Sequence, residues 1–565
     1  MSGAERRLDS WKEIAAHFNR DVTTVRRWER REGLPVHRHV HASRSSIYAY
    51  AHELDEWWAS RAGPDTVAAA ASPPSPLTPS GHRTAAAHLS IAKVLLLLFA
   101  AFALSPPATT SAPAVRAIAV LPFISSSASA DAQYLSEGLT DAVMDHVAPI
   151  SGLRVIARAS VLRYRQRVTD FETVARELNV DAVLIGSSTM DRDRVAFSVE
   201  LLHARSGRRL WQGRYAGTTS ELLALERTLL ADVARALGRE PDQGSPGQPA
   251  TLEAYWTYVQ GRRDWNRRTP ESLRAAARLF TRAFELDPAF ALAYAGAADA
   301  ETLIGYYRAA PLEESLARAE ANARRALALN DNLAEAHAAL GQVFATRWDW
   351  THADLEYRRA LDLNPNYATA RHWYSNYLSI VGDDDAAIAQ ARLATALDPL
   401  SPIVRSGALA NALRRAGRHE EALAEYARAL EMDPTFWNAR MGQAMAYAGK
   451  RMQVEAIREA GILTGLRPSW TASAAAIYGT FGAEAEARRL LRTVEQSEGI
   501  SGISLAQVYA SIGDTERAVG CLQRAFDARD PDLAPVVREP WFDRVRHDAR
   551  VAAMVQSLAL PQSPH

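Results

Sequence analysis

Cysteine is almost absent: Cys521 stands alone in 565 residues. That excludes an intramolecular disulfide and any zinc site needing two thiolates from this chain. Net charge is missing as well. The 65 basic residues balance 65 acidic ones, which argues against a chain that coats nucleic acid along its length or carries an acidic tail. No GxxxxGK phosphate loop, HExxH, GxSxG or kinase signature occurs, so no enzyme, no cofactor and no metal site are expected. The longest run without a polar group, Val94 to Leu104, has 11 residues, too few alone to cross a bilayer. What is present is apolar bulk. Hydrophobic residues make up 48 % of the chain, enough to build cores, and the length suits three or four domains at about 150 residues each.

The first zone, residues 1–61, is rich in Arg, His and Trp. Ser10-Trp11-Lys12-Glu13 fits a capping box and predicts a helix from Trp11, with Ile14, Ala15 and Phe18 as its apolar stripe. Asp21 suits the cap of a second helix, 22–31, and Gly33 suits its end. On that helix Val22, Val25 and Trp28 share the side expected to face a core. Thr23, Arg26, Arg27 and Arg30 project from the opposite side, with Thr24 beside them. Between Arg20 and Arg44 seven arginines stand against three acids. His37 to Val40 and Ile47 to Tyr50 predict a β-hairpin wing, which carries Arg38 and Arg44. His52 to Trp58 predicts a closing helix. An arginine-rich face on a short helix suits the major groove, where arginine contacts phosphates or reads guanine. The other reading of those arginines is a solvated helix face. The alternation His37-x-His39-x-His41 offers a metal option, but phosphate-facing wing residues account for it better.

WKEIAAHFNRDVTTVRRWERREGLPVHRHVH, followed by SIYAYAHELDEWW, resembles the winged helix-turn-helix of the MerR/excisionase type over about residues 8–60. The resemblance implies binding of double-stranded DNA through Thr23, Thr24, Arg26, Arg27 and Arg30 on the second helix, with Arg38 and Arg44 on the wing. A homodimer is left open, since no long dimerising helix follows.

Residues 62–84 are rich in Ala, Pro, Ser and Thr and read as a linker, as do 105–114. Between them, residues 85–104 are apolar except for His88, Ser90 and Lys93, which lie toward one end, where lysine snorkels to the headgroups. We expect one transmembrane helix there. Arg61, Arg83 and Lys93 precede or enter it, so the positive-inside rule places the N-terminus in the cytoplasm and the chain in a bacterial inner membrane.

Residues 115–240 alternate strand-like and helix-like patterns. Ala117 to Phe123 is an almost wholly apolar strand, Tyr134 to Val147 a helix, Leu153 to Ile156 a strand, Phe171 to Leu178 a helix and Ala182 to Gly186 a second buried strand. Val195 to Leu202 and Arg209 to Ala216 flank Ser206-Gly207 as a hairpin. Glu221 to Leu237 closes the zone as an amphipathic helix. Glu137, Asp141 and Asp145 share one helix face, expected to be solvated. AIAVLPF, YLSEGLTDAVMDHV, LRVIAR and ELNVDAVLIGS resemble the amino-terminal domain of TolB and the related FlgO-type domains, which implies a small α/β binding or assembly module.

From 250 to 560 the pattern is helical and periodic. Pro365, Pro399, Pro434 and Pro468 fall 34, 35 and 34 residues apart, the mark of tetratricopeptide repeats. Leu340, Gly341, Phe344, Ala353, Tyr357 and Ala360 fill one such unit, and Ala422, Tyr426 and Ala429 repeat it. Small residues let paired helices approach, and proline is expected to stop each second helix. Seven or eight repeats are expected, the second one long and the one near 471–499 short. Asp383-Asp384-Asp385 fits the start of a helix. The stacked array implies a concave groove for a protein or peptide partner, with Trp348, Trp350, Trp373, Tyr374 and Trp437 as contributors, most of them expected to be core.

The fold class is thus multidomain: winged helix-turn-helix, single transmembrane helix, small α/β domain and all-α tetratricopeptide solenoid. The function expected is a membrane-anchored one-component transcriptional regulator, similar in organisation to the CadC/ToxR class. Cytoplasmic DNA binding would be coupled to an outer repeat domain. The alternative is a tetratricopeptide assembly scaffold without DNA binding. A soluble regulator ranks third.

Overall fold

The computed structural model describes residues 7–8, 10–18, 24–25, 28–29, 34–40, 45–59, 115–127, 129–165, 171–240, 249–466, 468–497, 500–536 and 539–561. The chain divides into two compact units, Met1–Thr109 and Thr110–His565.

In the first unit Ser10 caps the helix Trp11–His17, its hydroxyl accepting from the Glu13 amide at 3.2 Å, as the capping box requires. Strand β1 (Arg7–Leu8), β2 (His37–Val40) and β3 (Ser45–Tyr50) form an antiparallel sheet in the order β1-β3-β2. The hairpin pairs His37 with Tyr48 and Val40 with Ser45. A helix, Ala51–Ala59, follows directly. Thr24, Val25, Trp28 and Glu29 are helical, where the second helix was expected. Ile14, Val25 and Leu54 are fully buried together. Phe18, Trp28 and Trp57 close over them with ring centroids 5.7 to 6.2 Å apart. Val25 and Trp28 therefore take the core side the sequence assigned to them.

The second unit begins with β4 (Ala117–Val120), buried along its whole length, and β5 (Ile124–Ser125). The helix Ala130–Val147 follows, capped by Ser129. After it come β6 (Arg154–Val155), the helix Phe171–Leu178, and the long strands β7 (Ala182–Asp191), β8 (Arg194–His203) and β9 (Arg209–Thr218). Strand order is β6-β4-β7-β8-β9, with β5 also on β7. β4 is parallel to β6 and β7, whereas β7, β8 and β9 are antiparallel. The apolar runs at β4 and β7 are strands because they are covered on both faces. β7 runs five residues beyond the expected Gly186. Its turn into β8 passes through Arg192 at φ 51°, a left-handed position without the glycine that usually signals one.

From Leu252 to Asp527 the chain is paired antiparallel helices. A residue of positive φ joins the two helices of each pair: Arg268, Arg308, Trp348, Gly382, Gly417, Arg451, Gly482 and Gly513. Those eight turns mark eight repeats among the described residues. The helix starts at Ala291 and Ala334 bear out the long second unit, whereas the short unit is 437–467, one before the unit expected near 471–499. Ala276, Ala283, Ala353, Ala360, Ala422 and Ala429 are fully buried. A Cβ on Gly341 would stand 2.9 Å from the Tyr357 ring, so the glycine is what admits the aromatic. Asp383 caps the helix Asp384–Leu397 through the Ala386 amide at 3.1 Å. One expectation fails here. Pro468 opens the helix Pro468–Thr480 rather than stopping the preceding helix Gln453–Leu463. Proline is as well placed at a helix start, where its missing N–H has no partner to lose.

The repeats wind far enough for their end to meet their beginning. Arg308 pairs with Asp530 and Asp532 at 3.1 and 2.8 Å. The Trp350 indole donates to the Leu558 carbonyl at 2.8 Å, and Trp348 lies 5.9 Å from Phe526. Arg414 and Glu539 form a buried bidentate pair at 2.6 and 2.7 Å. The α/β domain docks on the same solenoid. The Asn366 amide donates to the carbonyls of Ala148 and Leu153 at 2.8 and 2.7 Å and accepts from the Val155 amide at 3.1 Å. Ser160 donates to Asp398 at 2.5 Å.

Candidate functional site

Of the residues expected to contact DNA, Thr23, Arg26, Arg27, Arg30 and Arg44 lie outside the described residues. Thr24 is half-buried on the second helix, and Arg38 sits on β2 paired with Ile47. The hairpin and the core that would carry such a face are in place. His37 is engaged by its neighbours: its Nε2 lies 2.7 Å from Glu53, and its ring stacks on Tyr48 at 5.1 Å. His41 lies outside the described residues. Among the described residues no group of three His, Cys, Asp or Glu is placed to hold a metal ion. The expected span 85–104 also lies outside them, and no described helix is long and apolar enough to cross a membrane.

The face carrying Glu137, Asp141 and Asp145 is solvated, as expected, only at Asp145. Glu137 and Asp141 are buried. Arg165 pairs with Glu137, Arg158 with Asp141, and Arg262 stands 3.7 Å from Asp145. The first repeat helix, Leu252–Trp265, has closed over this face. Its Tyr255 hydroxyl reaches Glu226 at 2.6 Å, and a Cβ on Gly138 would meet that hydroxyl at 2.9 Å. Burial raises the Glu226 pKa to about 7, against the Tyr255 hydrogen bond.

Below this contact lies a cavity of about 1080 Å³, bounded by the α/β domain, the inner repeat helices and the C-terminal segment. Its end nearest the α/β domain is a dense polar network. Arg268 lies 3.7 Å over the Trp265 ring. Burial, and then Glu335, raise the Asp299 pKa to about 7, while the Tyr367 hydroxyl donates to it at 3.2 Å. Burial, and then Arg268, push His372 down to about 4. The indole nitrogen of Trp265 and the amide nitrogen of Asn266 are buried without a hydrogen-bond partner. Tyr306, Tyr307, Ile403, Arg414, Arg415 and Trp541 also line the cavity. The chemistry on offer is recognition: cations and N–H donors set among aromatic walls.

Of this lining, sequence reasoning singled out Trp373 for the groove, Tyr357 only as a repeat residue, and Asp141 and Asp145 only as a helix face. The nearest signal was arginine at turn positions such as Arg268 and Arg308, which hold φ of 55° and 53°, where glycine would be easier. Of the expected groove aromatics, Trp350, Trp373 and Tyr374 are buried and Trp437 is half-buried.

An α/β domain docked on a helical-repeat solenoid is the class of molecule these observations define. Comparison with known proteins agrees with its parts. Residues 407–436 match the tetratricopeptide repeat family, and repeats of that kind are present. Residues 114–229 match the second domain of HilA/YgeH-like transcriptional regulators. The chain is 22 % identical to the transcriptional regulator HilA of Salmonella typhimurium over 300 residues, 52 % of this chain and 53 % of that one. It is 31 % identical over 189 residues to "Putative adenylate cyclase 3" of Rhizobium meliloti, covering 32 % of each. The matched parts thus span about a third to a half of the curated relatives' lengths. Among solved structures, a thermophilic tetratricopeptide repeat protein of Thermus thermophilus aligns over 34 % of this chain and 98 % of its own, at 24 % identity and a TM-score of 0.29.

Proposed function

We propose that the chain is a transcriptional regulator whose first unit binds double-stranded DNA and whose second unit receives the signal or partner. The observation that carries this reading is the match of residues 114–229 to a domain of transcriptional regulators, placed behind an arginine-rich segment with a helix and a β-hairpin around one core. Thr23, Thr24, Arg26, Arg27 and Arg30 enter the major groove, and Arg38 and Arg44 hold the backbone. The repeat unit supplies the surface for a protein or peptide partner, and no catalysis is assigned to it. Residues 85–104 anchor the chain once in the inner membrane, N-terminus inside, and a second copy of the chain raises the effective concentration of DNA-binding units.

Two experiments test the parts separately. The purified full chain should retard duplex DNA with a steep salt dependence, and Arg27→Ala should weaken a specific site by about 1–3 kcal/mol if that side chain reads a base. No retardation at low salt leaves the assembly-scaffold alternative. Alkaline phosphatase fused after residue 115 should be active and after residue 62 inactive. Inactivity of the downstream fusion removes the membrane anchor while leaving DNA binding untouched.

A further inference from the structure

The cavity holds a cation with no ion pair of its own. Four basic groups gather there: Arg308, Arg414, Arg415 and His419. Arg308 is taken by Asp530 and Asp532, and Arg414 by both oxygens of Glu539. The His419 pKa is lowered by burial and then by Arg414, so the ring carries no charge at neutral pH. That leaves Arg415. No carboxylate among the described residues pairs with it, and its Nε is buried without a hydrogen-bond partner. Burial, and then the neighbouring Arg414, lower its pKa, while Glu539, already held by Arg414, partly offsets them. Arg415 is half-buried, and two guanidiniums share that one carboxylate, which leaves one positive charge in excess for an anion to balance. Trp541, itself 5 % exposed, adds an indole N–H that also lacks an acceptor.

Aromatic walls stand near this cation and open toward the cavity. Tyr306 and Tyr307 are 66 % and 42 % exposed, yet both line the cavity. Tyr306 lies within electrostatic reach of Arg415. The cavity, about 1080 Å³, is at the upper end of the size at which small ligands are held. A cation in excess beside bare aromatic surface is complementary to one class of molecule. We infer that the cavity binds an amphipathic organic anion, a carboxylate or phosphate head at Arg415 with an apolar body against Tyr306 and Tyr307. The inference deepens the regulatory reading by naming the class of molecule the second unit would receive. The binding itself needs no DNA, so its failure and the failure of DNA binding are distinguishable.

The test is calorimetry on the full chain with monomeric dodecanoate and dodecyl phosphate, and with 1-dodecanol and acetate as the two halves of the ligand apart. Vesicles of anionic phospholipid form a separate arm. At least one of the two anions should bind, and dodecanol and acetate should bind at least tenfold more weakly. Arg415→Gln should weaken the anion at least tenfold, the factor expected for one lost charge-assisted hydrogen bond, and Arg415→Lys should recover part of it. Without ligand, Arg415→Gln should melt at the same temperature as the parent or higher, because no ion pair among the described residues is lost and one of two adjacent positive charges is removed. A merely structural arginine would lower both. Binding of dodecanol as tight as dodecanoate, unchanged affinity in Arg415→Gln, or capture by vesicles with no binding of either monomeric anion would each overturn the inference.

Discussion

One buried ion pair contributes to closure of the repeat solenoid, and its removal has a calculable cost. Arg414 and Glu539 are 7 % and 4 % exposed and share two hydrogen bonds of 2.6 and 2.7 Å. Although burial works against it, Glu539 holds the Arg414 pKa above its ordinary value. Glu539→Ala leaves Arg414 buried and uncompensated beside Arg415. Breaking such a pair from one side costs about 3–5 kcal/mol, whereas replacing both partners with apolar residues of similar volume is often neutral or stabilising. Urea unfolding of the full chain, followed by circular dichroism, should therefore show Glu539→Ala losing about 3–5 kcal/mol. The double change Arg414→Met with Glu539→Leu should lose far less. Limited proteolysis should cut the single variant within 530–558 faster than the parent, since that segment loses its buried ion pair to the repeats. A loss below about 1 kcal/mol in the single variant, or a double variant no better than the single, would refute the reasoning.

Glu226 should make stability depend on pH. Its carboxyl, raised to about 7 by burial from an ordinary 4.5, holds its proton in the folded chain after the unfolded chain has lost it. The stabilisation is full below pH 4.5 and is lost as pH rises through 7, for a total of about 3 kcal/mol. Glu226→Gln should gain that amount on the parent between pH 4.5 and 8 in parallel urea titrations. A constant difference would contradict the shift, and Asp299, which titrates nearby in both proteins, cancels. Ala360, fully buried between paired helices, should resist enlargement. Ala360→Trp should cost about 1–3 kcal/mol or more by overpacking, read as a lower melting temperature, and an unchanged one would mean the helices are not closely packed there.

What the sequence made legible was what neighbours in the chain decide. Ser10 and Glu13 lie one turn apart, so the cap was visible. Ala353, Tyr357 and Ala360 repeat at helical spacing, so the solenoid was visible, and the apolar runs at 117 and 182 announced buried strands. Burial of the carboxylates Glu137 and Asp141 was not legible because the arginines that cover them, Arg165 and Arg158, come from elsewhere in the chain. Pro468 was misassigned because a short repeat moves the same residue from the end of one helix to the start of the next. The cavity was hidden for the most basic reason: Arg415 lacks an ion pair of its own only because segment 530–558 closes on the repeats and spends Glu539 on Arg414. Nothing local to residue 415 records that event.

The central claim, DNA binding by the first unit, is tested most directly in cells. Chromatin immunoprecipitation of the tagged full chain should enrich a small set of duplex sites. Arg26→Ala with Arg27→Ala should abolish the enrichment while leaving the protein level unchanged. The same sites recovered equally from parent and variant, or no enriched site in the parent, would contradict the account.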